Sequence, residues 1–342
     1  MEKSKKVLVG ISIGDTNGIG IEIILETFND KRMFEFCTPV IYASNKTIST
    51  HKNLLNYNTS IQRIHNIDKI IPGKLNLINV WNEDNPIEIG KETKQGGKYA
   101  FLSLEAAVND LKKGNIDVLV TAPINKKTIQ SDTFNFPGHT EYLESKLNGE
   151  ALMILMTDKL KIALLTGHIP IKDVSKTITP ELIHKKATIL HQTLIQDFSI
   201  PKPKIAVLSI NPHAGDHGII GDEDDTILFP SIQNLQKEGK LVYGPYAADS
   251  FFGSSNYKSF DAVLAAYHDQ GLTAFKTLAF GEGVNFTAGL DEIRTSPDHG
   301  TAFDIAGKGL ANASSFKEAV FSAISIFKTR KENKELKANA LK

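Results

Sequence analysis

Three histidines carry the strongest chemical signal in the chain. His168, His213 and His268 each follow a short apolar run, namely Lys161–Leu165, Lys204–Ile210 and Ala262–Tyr267. Runs of that length, rich in Val, Ile, Leu and Ala, read as buried parallel strands. Ligands bind at the carboxyl edge of open α/β sheets, so three imidazoles could converge there despite their separation in sequence. Three neutral imidazoles with open coordination positions suit a catalytic divalent metal of the zinc or cobalt type. Any one histidine at such a place also fits a hydrogen-bonded structural role. His51, His65, His184, His191 and His217 lie in helical or loop patterns and are expected at the surface.

A second polar cluster is Gly138-His139-Thr140-Glu141, where a turn precedes a helical pattern. His139 and Thr140 have the donors that a phosphate or hydroxyl needs; Thr140 equally fits a helix N-cap. Downstream, Lys276, Asn285 and Arg294 supply three further donors in a largely apolar stretch, as an anionic substrate requires. Taken singly, each also fits a solvated surface position. The turn Gly14-Asp15-Thr16-Asn17-Gly18-Ile19-Gly20 follows an apolar run and opens a helical pattern, a place where backbone amides can cradle an anion. Its spacing is neither G-x-G-x-x-G nor a Walker loop, so it reads as a site-lining loop of unassigned role.

The elements that must position these residues read as an α/β protein. Further strands are expected at Val7–Ile13, Pro39–Ala43 and Asp117–Thr121, and a helix at Tyr99–Lys113, whose Phe101, Leu104, Val108 and Leu111 form one apolar stripe closed by Gly114. With 342 residues, 41% of them hydrophobic, the chain is long enough for two domains with a sizeable core. No linker-like stretch marks a boundary, so two lobes would require the chain to cross between them more than once. The tail from Lys328 to Lys342 reads as a frayed helix end. Lys+Arg and Asp+Glu both number 39, so bulk charge argues against a nucleic-acid or anionic-membrane partner and leaves any anion site local. The lone Cys37 cannot form an intrachain disulfide, and no apolar run reaches membrane-spanning length, which together point to the cytoplasm.

Five ordered segments resemble the 4-hydroxythreonine-4-phosphate dehydrogenase family: residues 14–20, Pro137-Gly138-His139-Thr140-Glu141, Asn211-Pro212-His213-Ala214-Gly215, Tyr267-His268-Asp269-Gln270-Gly271-Leu272, and Arg294-Thr295-Ser296-Pro297-Asp298-His299-Gly300-Thr301-Ala302. The resemblance runs from Val7 to about Val320, with one departure: Thr16-Asn17 stands where the family usually has Pro-Ala. The stretch His299–Gly309 is also similar to the adenosine-binding loop of isocitrate and isopropylmalate dehydrogenases, which bind NAD(P) without a Rossmann fingerprint.

The resemblance implies an isocitrate/isopropylmalate dehydrogenase-like fold of two α/β lobes with mainly parallel sheets and the active site in the interlobe cleft. The lobes it implies are 1–130 with about 285–342, on the cofactor-loop side, and about 131–284, on the metal, substrate and dimer side. His168, His213 and His268 would hold a divalent metal, Zn2+ or else Mg2+ or Co2+. His139, Thr140, Lys276, Asn285 and Arg294 would bind the phosphorylated substrate. His299, Gly300, Thr301, Ala302, Asp304 and Gly307 would bind NAD or NADP, and Asp249 or Asp269 would act as base or orient an imidazole. The expected reaction oxidises 4-phosphooxy-L-threonine and decarboxylates the product, in pyridoxal phosphate biosynthesis. Rival readings are a dehydrogenase of a 4-phosphorylated sugar acid or a diol carboxylate, and a phosphate acyltransferase-like protein. A homodimer with a shared site is also implied, and we expect the His268–Arg294 segment to close the partner's site.

Overall fold

The computed structural model describes residues 6–83, 86–279 and 281–339. Its strands, in chain order, are β1 Val7–Ser12, β2 Cys37–Ala43, β3 Ile61–Ile64, β4 Leu75–Asn79, β5 Val118–Thr121, β6 Gly149–Met156, β7 Lys161–Leu164, β8 Lys204–Leu208, β9 Leu241–Tyr246, β10 Ala262–Ala265, β11 Val284–Leu290 and β12 Arg294–Pro297. The helices used below are α1 Gly20–Asn29, α2 Asn45–Leu54, α3 Lys94–Lys112, α4 His139–Lys146, α5 Pro180–Phe198, α6 Ala248–Gly253, α7 His268–Leu278 and α8 Ser314–Ala338.

The chain forms two compact units, 1–149 with 290–327 and 150–289 with 328–342. Each unit is entered twice by the chain. The boundaries sit near 149 and 290, against 130 and 285 from the sequence, because α4 packs its Tyr142 against Phe101 and Phe134 of the first unit.

In the first unit the strand order is β3-β4-β2-β1-β5-β12, parallel at each of these pairings. Every residue of β2, β5 and β12 is buried, the pattern of parallel strands covered on both faces. Helix α3 buries Phe101, Leu104, Val108 and Leu111. It begins at Lys94, five residues before the expected Tyr99, because the Thr93 hydroxyl accepts the Gly96 amide and caps it. It ends at Lys112, and Gly114 just beyond the Lys113 cap takes a φ of +70°, open to glycine without strain.

In the second unit the order is β11-β6-β7-β10-β8-β9. β7, β10, β8 and β9 run parallel to one another, and β6 pairs antiparallel with β7. Its core joins Leu164, Leu208, Phe251, Val263, Leu272 and Phe275.

The tail corrects an expectation. Helix α8 continues to Ala338 rather than fraying from Lys328. Arg330 forms a two-pronged ion pair with Asp197 of α5, Nη2 to Oδ2 at 2.9 Å, with the carboxylate 2% exposed, and the Asn333 amide donates to the Gln196 carbonyl at 2.8 Å. Buried charge pairing holds a segment that lacks large apolar residues until Leu336. Residues 340–342 of that tail, like 1–5, lie outside the described residues.

Candidate active site

In the second unit, β7, β10 and β8 are neighbours, and His168, His268 and His213 follow their carboxyl ends. Side chains hold these ends in register. The Thr166 hydroxyl donates to the Ala266 carbonyl at 2.8 Å. Gln270 accepts from the Ala266 amide at 2.8 Å and donates to the Ser209 carbonyl at 2.7 Å, tying β10 to β8. Beyond β8, the fully buried Asp224 accepts the amides of Ile210 and Asn211 at 2.8 and 2.9 Å.

The rings of His168 and His268 lie 5.2 Å apart, beside a pocket of about 360 Å³ that Gly167, Ile171, Tyr267 and Asp269 also line. Asp269 accepts from His268 Nδ1 at 2.7 Å, which leaves Nε2 with its lone pair. His213 is exposed, at φ +54°, in a left-handed run with Ala214, Gly215, Asp216 and His217. Non-glycine residues in that region store strain, and such runs cluster at binding sites. Neutral imidazoles on three adjacent strand ends suit a divalent ion by donor chemistry. Among the described residues, no three His, Cys, Asp or Glu side chains stand close enough together to hold a metal as they are.

Within one chain, His168 and His268 are in ring contact and follow hydrogen-bonded neighbouring strands.

In the first unit, Arg294 on β12 is 2% exposed and donates from Nε to the Thr121 hydroxyl of β5 at 3.0 Å. It is not the solvated surface residue that its type suggests when taken alone. Burial pushes its guanidinium down to about 9, and the nearby Glu141 charge opposes that shift. His139 opens α4, with Nε2 shielded from solvent and without a hydrogen-bond partner. Burial holds His139 well below the usual histidine value, and the charges of Arg294 and Lys126 push it the same way. The result is a neutral imidazole among cations, an arrangement completed by an anion. Thr140 lies inside the first turn of α4, whose N-cap is Gly138 with no side-chain cap, so its hydroxyl is not spent on capping.

The other expected residues are placed as follows. Asn285 on β11 has a shielded Oδ1 with no hydrogen-bond partner, while Lys276 on α7 is exposed. Asp249, in the first turn of α6, is also exposed. His299 is half-buried, with an unpartnered, shielded Nε2, and Gly300, Thr301, Ala302, Asp304 and Gly307 follow it in an irregular segment.

Two expectations about the first turn change. His51 is 1% exposed rather than at the surface: its Nε2 lies 2.8 Å from the Thr16 carbonyl, and burial pushes it down to about 4. The turn is not a ready anion cradle either. Its amides at 15, 17, 18 and 19 donate to the Pro123 carbonyl, Asp15 Oδ1, the Asp15 carbonyl and the Thr301 carbonyl. Sequence reasoning also missed Thr121 and Lys126. Their place at and just beyond the end of β5 was the signal that could have found them.

The family model of pyridoxal phosphate biosynthetic protein PdxA matches residues 35–323. A 4-hydroxythreonine-4-phosphate dehydrogenase of Bacteroides thetaiotaomicron is 48% identical, covering 99% of this chain and 94% of its own. A provisionally named D-threonate 4-phosphate dehydrogenase of Oceanobacillus iheyensis is 37% identical, over 96% of this chain and all of its own. The solved structure of a 4-hydroxythreonine-4-phosphate dehydrogenase from Klebsiella pneumoniae matches with a TM-score of 0.80 at 32% identity, covering 95% of this chain and 98% of that one. Neighbouring parallel strand ends, a buried arginine and these matches agree: the chain is a dehydrogenase that belongs to the PdxA family of pyridoxal phosphate biosynthetic proteins.

Proposed function

We propose that the enzyme oxidises 4-phosphooxy-L-threonine with NAD or NADP to 2-amino-3-oxo-4-phosphooxybutanoate, which loses carbon dioxide to give 3-amino-2-oxopropyl phosphate. The observation that carries this reading is the buried Arg294 with the neutral His139 in a chain of this family. In this reading, Arg294, His139, Thr140, Lys276 and Asn285 hold the substrate, chiefly its phosphate. His299, Gly300, Thr301, Ala302, Asp304 and Gly307 seat the dinucleotide.

His168, His213 and His268 would hold a divalent ion, Zn2+, Mg2+ or Co2+. Such an ion would acidify the substrate's C3 hydroxyl, while the nicotinamide would take the hydride. Asp269 keeps the His268 ring oriented through Nδ1, so its role is to position an imidazole. Asp249 is then the carboxylate assigned to accept the hydroxyl proton. The protein works as a homodimer in the cytoplasm, with residues of both subunits completing each site. A single, fully buried Cys37 agrees with a reducing compartment, and among the described residues no helix is long and apolar enough to cross a membrane.

The Oceanobacillus relative favours a second reading, D-threonate 4-phosphate as substrate, which differs at the amine. The test follows NADH or NADPH absorbance with 4-phosphooxy-L-threonine, D-threonate 4-phosphate and D-erythronate 4-phosphate, with divalent metal present. Turnover that favours the amine-bearing compound is expected. Turnover with the sugar acids alone replaces the first reading with the second.

A further inference from the structure

The turn at residues 14–22 is packed against the backbone of the segment that follows β12. The Ile19 amide donates to the Thr301 carbonyl at 3.0 Å. Glu22, in the first turn of α1 and 1% exposed, accepts the Gly307 amide on Oε2 at 3.0 Å and the Ala311 amide on Oε1 at 3.2 Å. One buried carboxylate thus holds two points of an otherwise irregular stretch, through amide donors 285 and 289 residues away in sequence.

Asn17 adds a second brace. Its Nδ2 donates to the Lys91 carbonyl at 3.1 Å and the Thr93 hydroxyl at 2.9 Å, and its Oδ1 accepts the Glu88 amide at 2.9 Å. Its own carbonyl accepts the Gly90 amide at 2.9 Å. The braced stretch in turn touches the 299–311 segment. A Cβ on Gly90 would come within 2.9 Å of the Phe303 carbonyl, and one on Gly307 within 2.7 Å of Ile89. An alanine at position 17, as in the usual Pro-Ala, would have none of the three side-chain hydrogen bonds.

We infer that Glu22 and Asn17 are positioning residues for dinucleotide binding: they preset the backbone of residues 300–311, and neither touches the substrate. The inference rests on the reading of that segment as the dinucleotide loop. A buried carboxylate that pairs with two amides removes their freedom before the ligand arrives, so the ordering cost is met in folding rather than in binding.

The test uses the metal-loaded full-length enzyme and its Glu22→Ala, Glu22→Gln and Asn17→Ala variants. NADH and NADPH affinities are measured by fluorescence, KM by turnover of 4-phosphooxy-L-threonine, folding by circular dichroism, and amide exchange over 300–311 with and without dinucleotide. In the wild type, dinucleotide should slow exchange in that segment. Glu22→Ala should weaken dinucleotide binding about tenfold and Asn17→Ala about threefold, with substrate KM within about twofold of wild type. Glu22→Gln, which keeps one acceptor, should fall between wild type and Glu22→Ala. If the wild type binds NADH with exchange over 300–311 unchanged, the loop reading fails, and the inference with it. If exchange is slowed but folded Glu22→Ala binds NADH as tightly as wild type, or dinucleotide affinity and substrate KM worsen in proportion, the inference alone fails. Should Glu22→Ala not fold, Asn17→Ala and Glu22→Gln decide on the same criteria.

Discussion

The two units use histidine in opposite ways. In the first, His51 and His139 are shielded and held neutral by burial, one against the Thr16 carbonyl and the other between Lys126 and Arg294. In the second, His168 and His268 border an open pocket, and His213 sits exposed on a left-handed turn. The same side chain is a fixed neutral group where the fold excludes water, and an accessible imidazole where strand ends meet solvent. In the first, His51 is paired on folding, whereas His139 keeps a shielded Nε2 without a hydrogen-bond partner. In the second, His168 and His268 are in ring contact and His213 follows the next strand of the sheet.

The largest effect separates those roles. Replacing His168, His213 or His268 by Ala should lower turnover by about a thousandfold or more, the scale of losing a metal's stabilisation of developing charge. Bound metal per subunit, read by plasma emission, should fall with it. The thermal midpoint without metal should stay near wild type, since these imidazoles support no core. A variant with full metal content and activity removes that residue from the site and narrows the contrast.

Next in size is an acid-stability effect confined to the first unit. His51 ordinarily titrates near 6.5 and here only near 4, so between those values the unfolded chain binds the extra proton. Stability should therefore fall as pH drops through that window, by roughly 3 kcal/mol. Urea midpoints across the range for wild type and His51→Gln measure it, and the variant should show the shallower loss. Coincident curves would mean that His51 does not carry the buried neutral imidazole's cost.

The smallest effect compares two cations of the proposed phosphate site. Arg294→Ala and Lys276→Ala should each raise KM for phosphorylated substrate by about 1.5–3 kcal/mol equivalent, with KM for NAD little changed. Only Arg294→Ala should also destabilise the fold, because Arg294 is buried and Lys276 exposed. If both variants keep the wild-type preference for phosphorylated over unphosphorylated substrate, neither residue clamps the phosphate.

Much of this was legible in the sequence. The apolar runs before His168, His213 and His268 became β7, β8 and β10, and the stripe from Phe101 to Leu111 became the buried face of α3. Composition and periodicity report which residues leave water, and that suffices for strands and helix faces. They do not report which distant backbone group a polar side chain will meet. His51 therefore passed for a surface histidine, the turn at 14–20 for a site-lining loop of unassigned role although its amides at 15, 18 and 19 are spent on backbone carbonyls, and the end of α8 for a frayed tail, although Arg330 meets Asp197.

Residue type and spacing alone determined the α/β class and the histidines at strand ends, since each depends on local pattern, and five ordered motifs carried the resemblance to the family. Tertiary structure decided that β7, β10 and β8 are neighbours, that Arg294 is buried beside Thr121, and that Glu22 holds the Gly307 and Ala311 amides. The reason is physical: a hydrogen bond or a desolvated charge gains its strength from partners that the chain brings together only when it folds.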